Sequence, residues 1–362
     1  EDDNMYMLSG YPWGKILARN TFMALPGNTI SIDHRADYEA IMETASKALR
    51  HFMTTGELDK RIIGIDLPDI PLWCIWALQQ YAKAYGPEAC RERYKDLITE
   101  IINYVADNRH PNLRMESNGL LYTIGTETPV SWMNASLNGR PVVPRTGYLV
   151  EFNALWYNAL MFGISLLGEE ITSTSERERW TAIAETLKPA FVDMFLNDYG
   201  YLFDYVSENY ADPSVRPNMA VAIGLDFSPL DRRQRKRVLD VVTRELLTPK
   251  GLRTLSPNSF GYRPFYLGSP EEREMALHNG PARPWLFGFY AEAYLRVFGL
   301  SGVSYLDRML IGYEDEMTQA CVGALSQLYD ANPPFSGRGA ISHATNVAGI
   351  LRTITTLKKF NV

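Results

Sequence analysis

The side chains with the most chemical promise in this 362-residue chain are indoles, guanidinia, amides and carboxylates in loop-like stretches. Trp13, Trp73, Trp132, Trp156 and Trp285 offer flat apolar faces, although Trp156 and Trp285 stand in apolar runs that equally suit a core. Arg19 and Arg216 can each aim two N–H donors at hydroxyls, or brace a loop carboxylate. A sugar ring asks for that combination, an apolar face against an aromatic ring and planar partners for its hydroxyls. His278, beside Asn279, suits either a hydroxyl bond or a structural post. Asp69, opening "DIPLW", suits either ligand binding or an N-terminal helix cap. Other chemistries lack their residues. Five histidines lie scattered with no HExxH, three cysteines with no CxxC, and no glycine-rich phosphate loop occurs. Neither a metal nor another cofactor is therefore expected.

Composition narrows the class further. The chain is 46% hydrophobic and 22% charged, which is ordinary globular usage, and its net charge of -6 disfavours nucleic acid. No apolar run is long enough to span a bilayer, and the acidic start at Glu1 lacks the layout of a signal peptide. Sparse cysteines at 74, 90 and 321 suit free thiols in a reducing compartment, so a cytoplasmic setting is expected.

Helical spacing dominates the pattern that must position these groups. Tyr38, Ile41, Met42, Ala45, Ala48 and Leu49 recur at helical intervals, and amphipathic stretches follow near 71–86, 88–107, 151–168, 176–196, 230–247, 284–299, 303–319 and 339–358. "FNALWYNALMFGISLLG" and "PWLFGFYAEAYLRVFG" are apolar around most of their circumference, which predicts inner helices shielded by others. Long loops at 108–150, 197–216, 248–284 and 320–338 separate them, with "NGLLYTIG" a candidate hairpin, and loops of that length are usually functional. No linker divides the chain, so one domain over 1–362 is expected. Helix pairs in a ring with loops over one mouth fit the pattern, as do other all-helical folds.

At these loops the chain resembles the glucosidase domain of bacterial and archaeal glycogen debranching enzymes, a family related to glucoamylases. The likeness is carried in order by "GYPW", "ARNTFMALPG" with its Leu-Pro-Gly turn, "DIPLW", "NGLLY", "SWMN", "PRTGYLVEFNALWYNAL", "GYLFD", "VRPN", "LLTPKGLRTL", "HNG", "PWLFGFYAEAYLR" and "ALSQLYDANPPFSGRGA". It implies an all-α, six-hairpin (α/α)6 toroid with minor β-hairpins and a pocket at one end. It also implies an α-glucan or oligosaccharide partner and inverting hydrolysis of the glucose left at α-1,6 branch points. Pocket residues implied by the matching motifs are Trp13, Arg19, Asn20, Asp69, Trp132, Glu151, His278, Asn279 and Trp285.

The departures are chemically consistent. Asn134 stands where the resemblance places the acid after Trp-Met, Gln327 where it places the base, and Asn20 where it places an aspartate that holds sugar hydroxyls. Arg283 and Thr345 replace further pocket residues. An inverting glycosidase needs one carboxylic acid and one carboxylate roughly 6.5–9.5 Å apart. Each role is worth about 10²–10⁴ in rate. Amides keep the shape and still bond hydroxyls, but they shuttle no protons at neutral pH. Hydrolysis is therefore expected to be lost or strongly impaired. The alternatives are rescue by other carboxylates such as Glu127 or Glu151, with Asp330 a third survivor near Gln327, or a domain that only binds a partner.

Overall fold

The structure, a computed structural model, describes residues 4–168 and 174–360. Twelve α-helices appear in it: α1 (Ala18–Thr29), α2 (Arg35–Thr55), α3 (Ile70–Tyr85), α4 (Pro87–Ala106), α5 (Val150–Leu167), α6 (Thr174–Phe195), α7 (Asn218–Gly224), α8 (Arg232–Glu245), α9 (Pro270–Ala276), α10 (Trp285–Phe298), α11 (Val303–Ile311) and α12 (Ala344–Lys358). The fold is thus mainly helical, with short antiparallel strands in the connections.

Packing follows the hydrophobic pattern. Helix α1 lies against α3 and α12, α3 against α5, α5 against α7, α7 against α10, and α10 against α12. On the outside of this series, α2 covers α1, α4 covers α3 and α5, α6 covers α5, and α8 covers α7 and α10. Helices with neighbours on several sides need apolar residues all round, and the two stretches expected to lie inside are α5 and α10. Helix α2 faces water on one side and buries a single stripe, Tyr38, Ile41, Met42, Ala45 and Leu49. Asp231 starts α8 with a capping box closed by Gln234.

Five elements depart from the sequence reading. Pro26 and Gly27 do not form a turn but lie inside α1. A Cβ on Gly27 would stand 2.1 Å from the Ala348 carbonyl oxygen, so glycine is there to let α1 and α12 cross backbone to backbone. Helix α7 lies just beyond a stretch read as loop and is buried throughout, which leaves it no amphipathic signal. Helix α9 falls within the stretch 248–284 expected to be loop, where Ser269 and Glu272 form a second capping box. The expected helix at 303–319 ends at Ile311, followed by Gly312 and a separate 3-10 turn at Asp315–Thr318. Residues 339–343 are not helical, since Ser342 and His343 pair instead with Tyr11 and Gly10.

The loops are tied together by non-local pairing. A five-stranded sheet joins Leu247–Thr248, Gly251–Arg253, Ala282–Arg283, Leu328–Tyr329 and Gly337–Arg338. Of the hairpin expected within 118–125 only the strand Leu121–Tyr122 lies there, and its partner is the preceding Arg114–Met115. Among the described residues no helix is long and apolar enough to cross a membrane.

Candidate active site

A cavity of about 540 Å³ opens where the long loops meet the first residues of the described chain. Its wall brings together Trp13, Arg19, Asn20, Trp132, Asn134, His278, Trp285 and Gln327, eight positions singled out from sequence and spread over more than three hundred residues. Lys15, Arg283, His343 and Thr345 line it as well. Among the described residues, no aspartate or glutamate lines it.

Each side chain is held from behind. Arg19 donates to both oxygens of Asp69, at 2.6 and 2.8 Å, and to the Val130 carbonyl at 3.2 Å. Asp69 also accepts from Trp73 Nε1 at 3.0 Å. It occupies the position before α3 without its side chain capping that helix, because both oxygens are already engaged. Asp69 therefore sits behind Arg19 rather than on the cavity wall. Trp132 meets His278 and Trp285 edge to face, each at 5.2 Å between centroids. Its Nε1 donates to Asn218 Oδ1 at 2.7 Å, and Trp285 in turn packs on Trp73. Trp13, by contrast, is 85% exposed at the mouth. Trp156 is wholly buried and belongs to the core.

Asn134 is exposed to the cavity, and its backbone N–H donates to His278 Nε2 at 3.1 Å. Burial, reinforced by the positive fields of Arg283, Arg216, Arg19 and Arg145, pushes the His278 pKa well below its usual range. The ring is therefore neutral with its proton on Nδ1, since Nε2 accepts. Nε2 lies 3.4 Å from the Asn134 side-chain oxygen and cannot donate to it, so an amide rotated to present its NH2 group suits this ring better. Gln327 accepts from Ala340 N–H through Oε1 at 3.1 Å and lies close over Gly339, where any Cβ would collide with it. Its carbonyl receives Arg283 Nη1 and Asn346 Nδ2.

The surviving carboxylates are elsewhere. Glu127 is exposed on a loop outside the cavity. Glu151 is 1% exposed and bonded through both oxygens to Arg145, at 2.5 and 2.7 Å. Arg145 also donates to Asp204 at 2.7 Å, and Asp204 accepts from Asn218 at 2.7 Å. Glu151 thus connects to Trp132 through a buried relay of three side chains instead of lining the cavity. Asp330 is held by Arg338 and the Tyr266 N–H. Arg216 braces loops, but through the Thr254 and His278 carbonyls and the Asn279 side chain rather than a carboxylate, which leaves Asn279 off the wall. Arg283 and His343, which stand where the resemblance places other pocket residues, are held at the wall by strand pairing, Arg283 opposite Leu252 and His343 opposite Gly10.

A mainly helical scaffold whose loops surround an aromatic cavity is that of a glycoside hydrolase-like protein, and comparison with known proteins agrees. Residues 1–352 match the family model described as amylo-alpha-1,6-glucosidase, and the chain belongs to that family. It is 25% identical over 217 residues to the glycogen debranching enzyme of Saccharomyces cerevisiae, a match covering 49% of this chain and 14% of the yeast protein. The fold is similar to that of a GH63 mannosylglycerate hydrolase from Thermus thermophilus in complex with Tris and D-glycerate. The TM-score is 0.65 at 12% identity, over 97% of this chain and 96% of that one. The same hydrolase in complex with glucose gives 0.63 at 13% identity, covering 98% and 96%.

Proposed function

We propose that this chain is a single-domain, six-hairpin α/α toroid that binds the terminal sugar of an α-glucan or related oligosaccharide, with hydrolysis lost or strongly impaired. One observation carries the reading: Asn134 and Gln327 share a cavity on whose wall no carboxyl group stands among the described residues. The cycle of six helices from α1 through α3, α5, α7, α10 and α12 supports the toroid, and the continuous buried cluster running from Ala18 to Leu357 supports one domain. The free thiols fit a reducing, cytoplasmic setting. Arg19 and Asn20 would bond hydroxyls, and Trp132, Trp285 and Trp13 would face the ring. Rescue by Glu151 is disfavoured by its sequestration on Arg145, and rescue by Glu127 by its place outside the cavity.

The test is glucose release from a branched limit dextrin at high protein concentration, for the parent chain and for Asn134→Asp combined with Gln327→Glu. The parent is expected to be inert and the double variant to gain turnover by at least about 10²-fold over background, since each acid–base role is worth that much. Robust turnover by the parent would end the proposal. Calorimetric titration with isomaltose and maltose tests binding independently.

A further inference from the structure

We propose that the saccharide taken by this cavity is acidic, carrying a carboxylate or phosphate group that Arg283 receives from the wall with Lys15 at the rim. The inference rests on the saccharide reading above and adds a charge to the ligand. Arg283 is 6% exposed, lines the cavity, and has no Asp or Glu partner among the described residues. Its Nη1 and Nη2 donate to two neutral carbonyls, those of Gln327 and Leu277, while Nε has no partner. Arg216 likewise has no carboxylate partner among the described residues but does not line the cavity, and two other neighbouring arginines are paired. Arg19 is neutralised by Asp69, and Arg145 is shared by Glu151 and Asp204.

Lys15, exposed at the mouth, likewise makes no ion pair among the described residues. The surplus positive charge is felt nearby. His343, also on the wall, is lowered to about 3 by burial and by Arg283. Arg283 itself is drawn down to about 10 by burial. A guanidinium taken out of water without a counter-ion is unfavourable, and charge-assisted hydrogen bonds donated by it to a ligand oxyanion would offset that cost where a neutral hydroxyl would not. Among the described residues no carboxylate on the wall would repel such a group.

The experiment is isothermal titration of the whole chain with glucose, glucuronate, glucose 6-phosphate and inorganic phosphate. At least one anionic sugar is expected to bind about tenfold or more tighter than glucose, as a hydrogen bond to a charged group allows. The preference should shrink as salt is raised. The tighter of glucuronate and glucose 6-phosphate identifies the oxyanion. Arg283→Gln should abolish the preference and Arg283→Lys should keep part of it. Because Arg283 also supports the Gln327 loop, Lys15→Gln is measured beside it, and that exposed change should weaken the preference at unaltered Tm.

Equal binding of glucose and both anionic sugars, or a preference indifferent to both Arg283→Gln and Lys15→Gln, overturns the inference and leaves the saccharide reading intact. Binding of inorganic phosphate with no sugar bound, or no binding of any of the four, overturns both.

Discussion

Replacing Glu151 by glutamine separates a residue that does chemistry from one that holds the scaffold. Glu151 and Arg145 are each about 1% exposed and joined by two hydrogen bonds, with Asp204 on the far side of the guanidinium. Burial pushes the Glu151 carboxyl up and Arg145 opposes that shift, so the pair is a balance of two large effects. Glutamine presents one NH2 group to the guanidinium and leaves part of a buried charge unmatched. Breaking a buried pair from one side typically costs about 3–5 kcal/mol. With about 2.1 cal/mol/K of unfolding entropy per residue over 362 residues, the entropy change is near 760 cal/mol/K, and the expected fall in Tm is about 4–7 °C. Scanning calorimetry reads that number, and limit-dextrin hydrolysis measured on the same samples reads the chemistry. A variant that keeps the parent Tm within a degree would refute the argument. So would a parent turnover that Glu151→Gln abolishes without destabilising the chain, because Glu151 would then act at the sugar.

Trp13→Ala should leave stability within about 0.5 kcal/mol, because the side chain is 85% exposed, while weakening sugar binding about tenfold through loss of the ring face. Unchanged affinity in calorimetric titration would remove Trp13 from the site. Stability should also fall on mild acidification. His110, buried between Phe52 and Tyr104, is lowered to about 4 by burial, against 6.5 when unfolded, and His278 is lowered too. The unfolded chain therefore binds more protons than the folded one below about pH 6.5. Stability is complete above that pH and declines as pH falls through the window toward 4, by about 1.4 kcal/mol per pH unit for each histidine. Chemical unfolding at pH 7.5, 6 and 5 measures the slope, and a flat profile would contradict neutral burial of these rings.

Much of the scaffold is written locally. Helical spacing in 37–55, 71–86, 88–107 and 151–168 specifies α2 to α5 within a residue or two, because burying one face of a helix imposes a period that neighbouring residues must obey. All-round apolarity likewise marks α5 and α10 as interior. The same local logic fails for α1, where Pro26 and Gly27 read as a turn until Ala348 is seen pressed against the glycine.

The site divides in the same way. That Trp132, Asn134, His278 and Gln327 line one cavity was legible from the motifs in which they stand. Which of the implied residues reach the wall was not. Asp69 and Glu151 stand in other matching motifs, yet Asp69 is turned toward Arg19 across 50 residues of sequence and Glu151 toward Arg145, 6 residues before it. Asn134 meets His278 across 144 residues of sequence. A side chain's periodicity reports its burial, but partners such as Arg19 for Asp69 and His278 for Asn134 are fixed by long-range contacts that no local window contains. The charge left over on Arg283 exists only once those partners have been assigned.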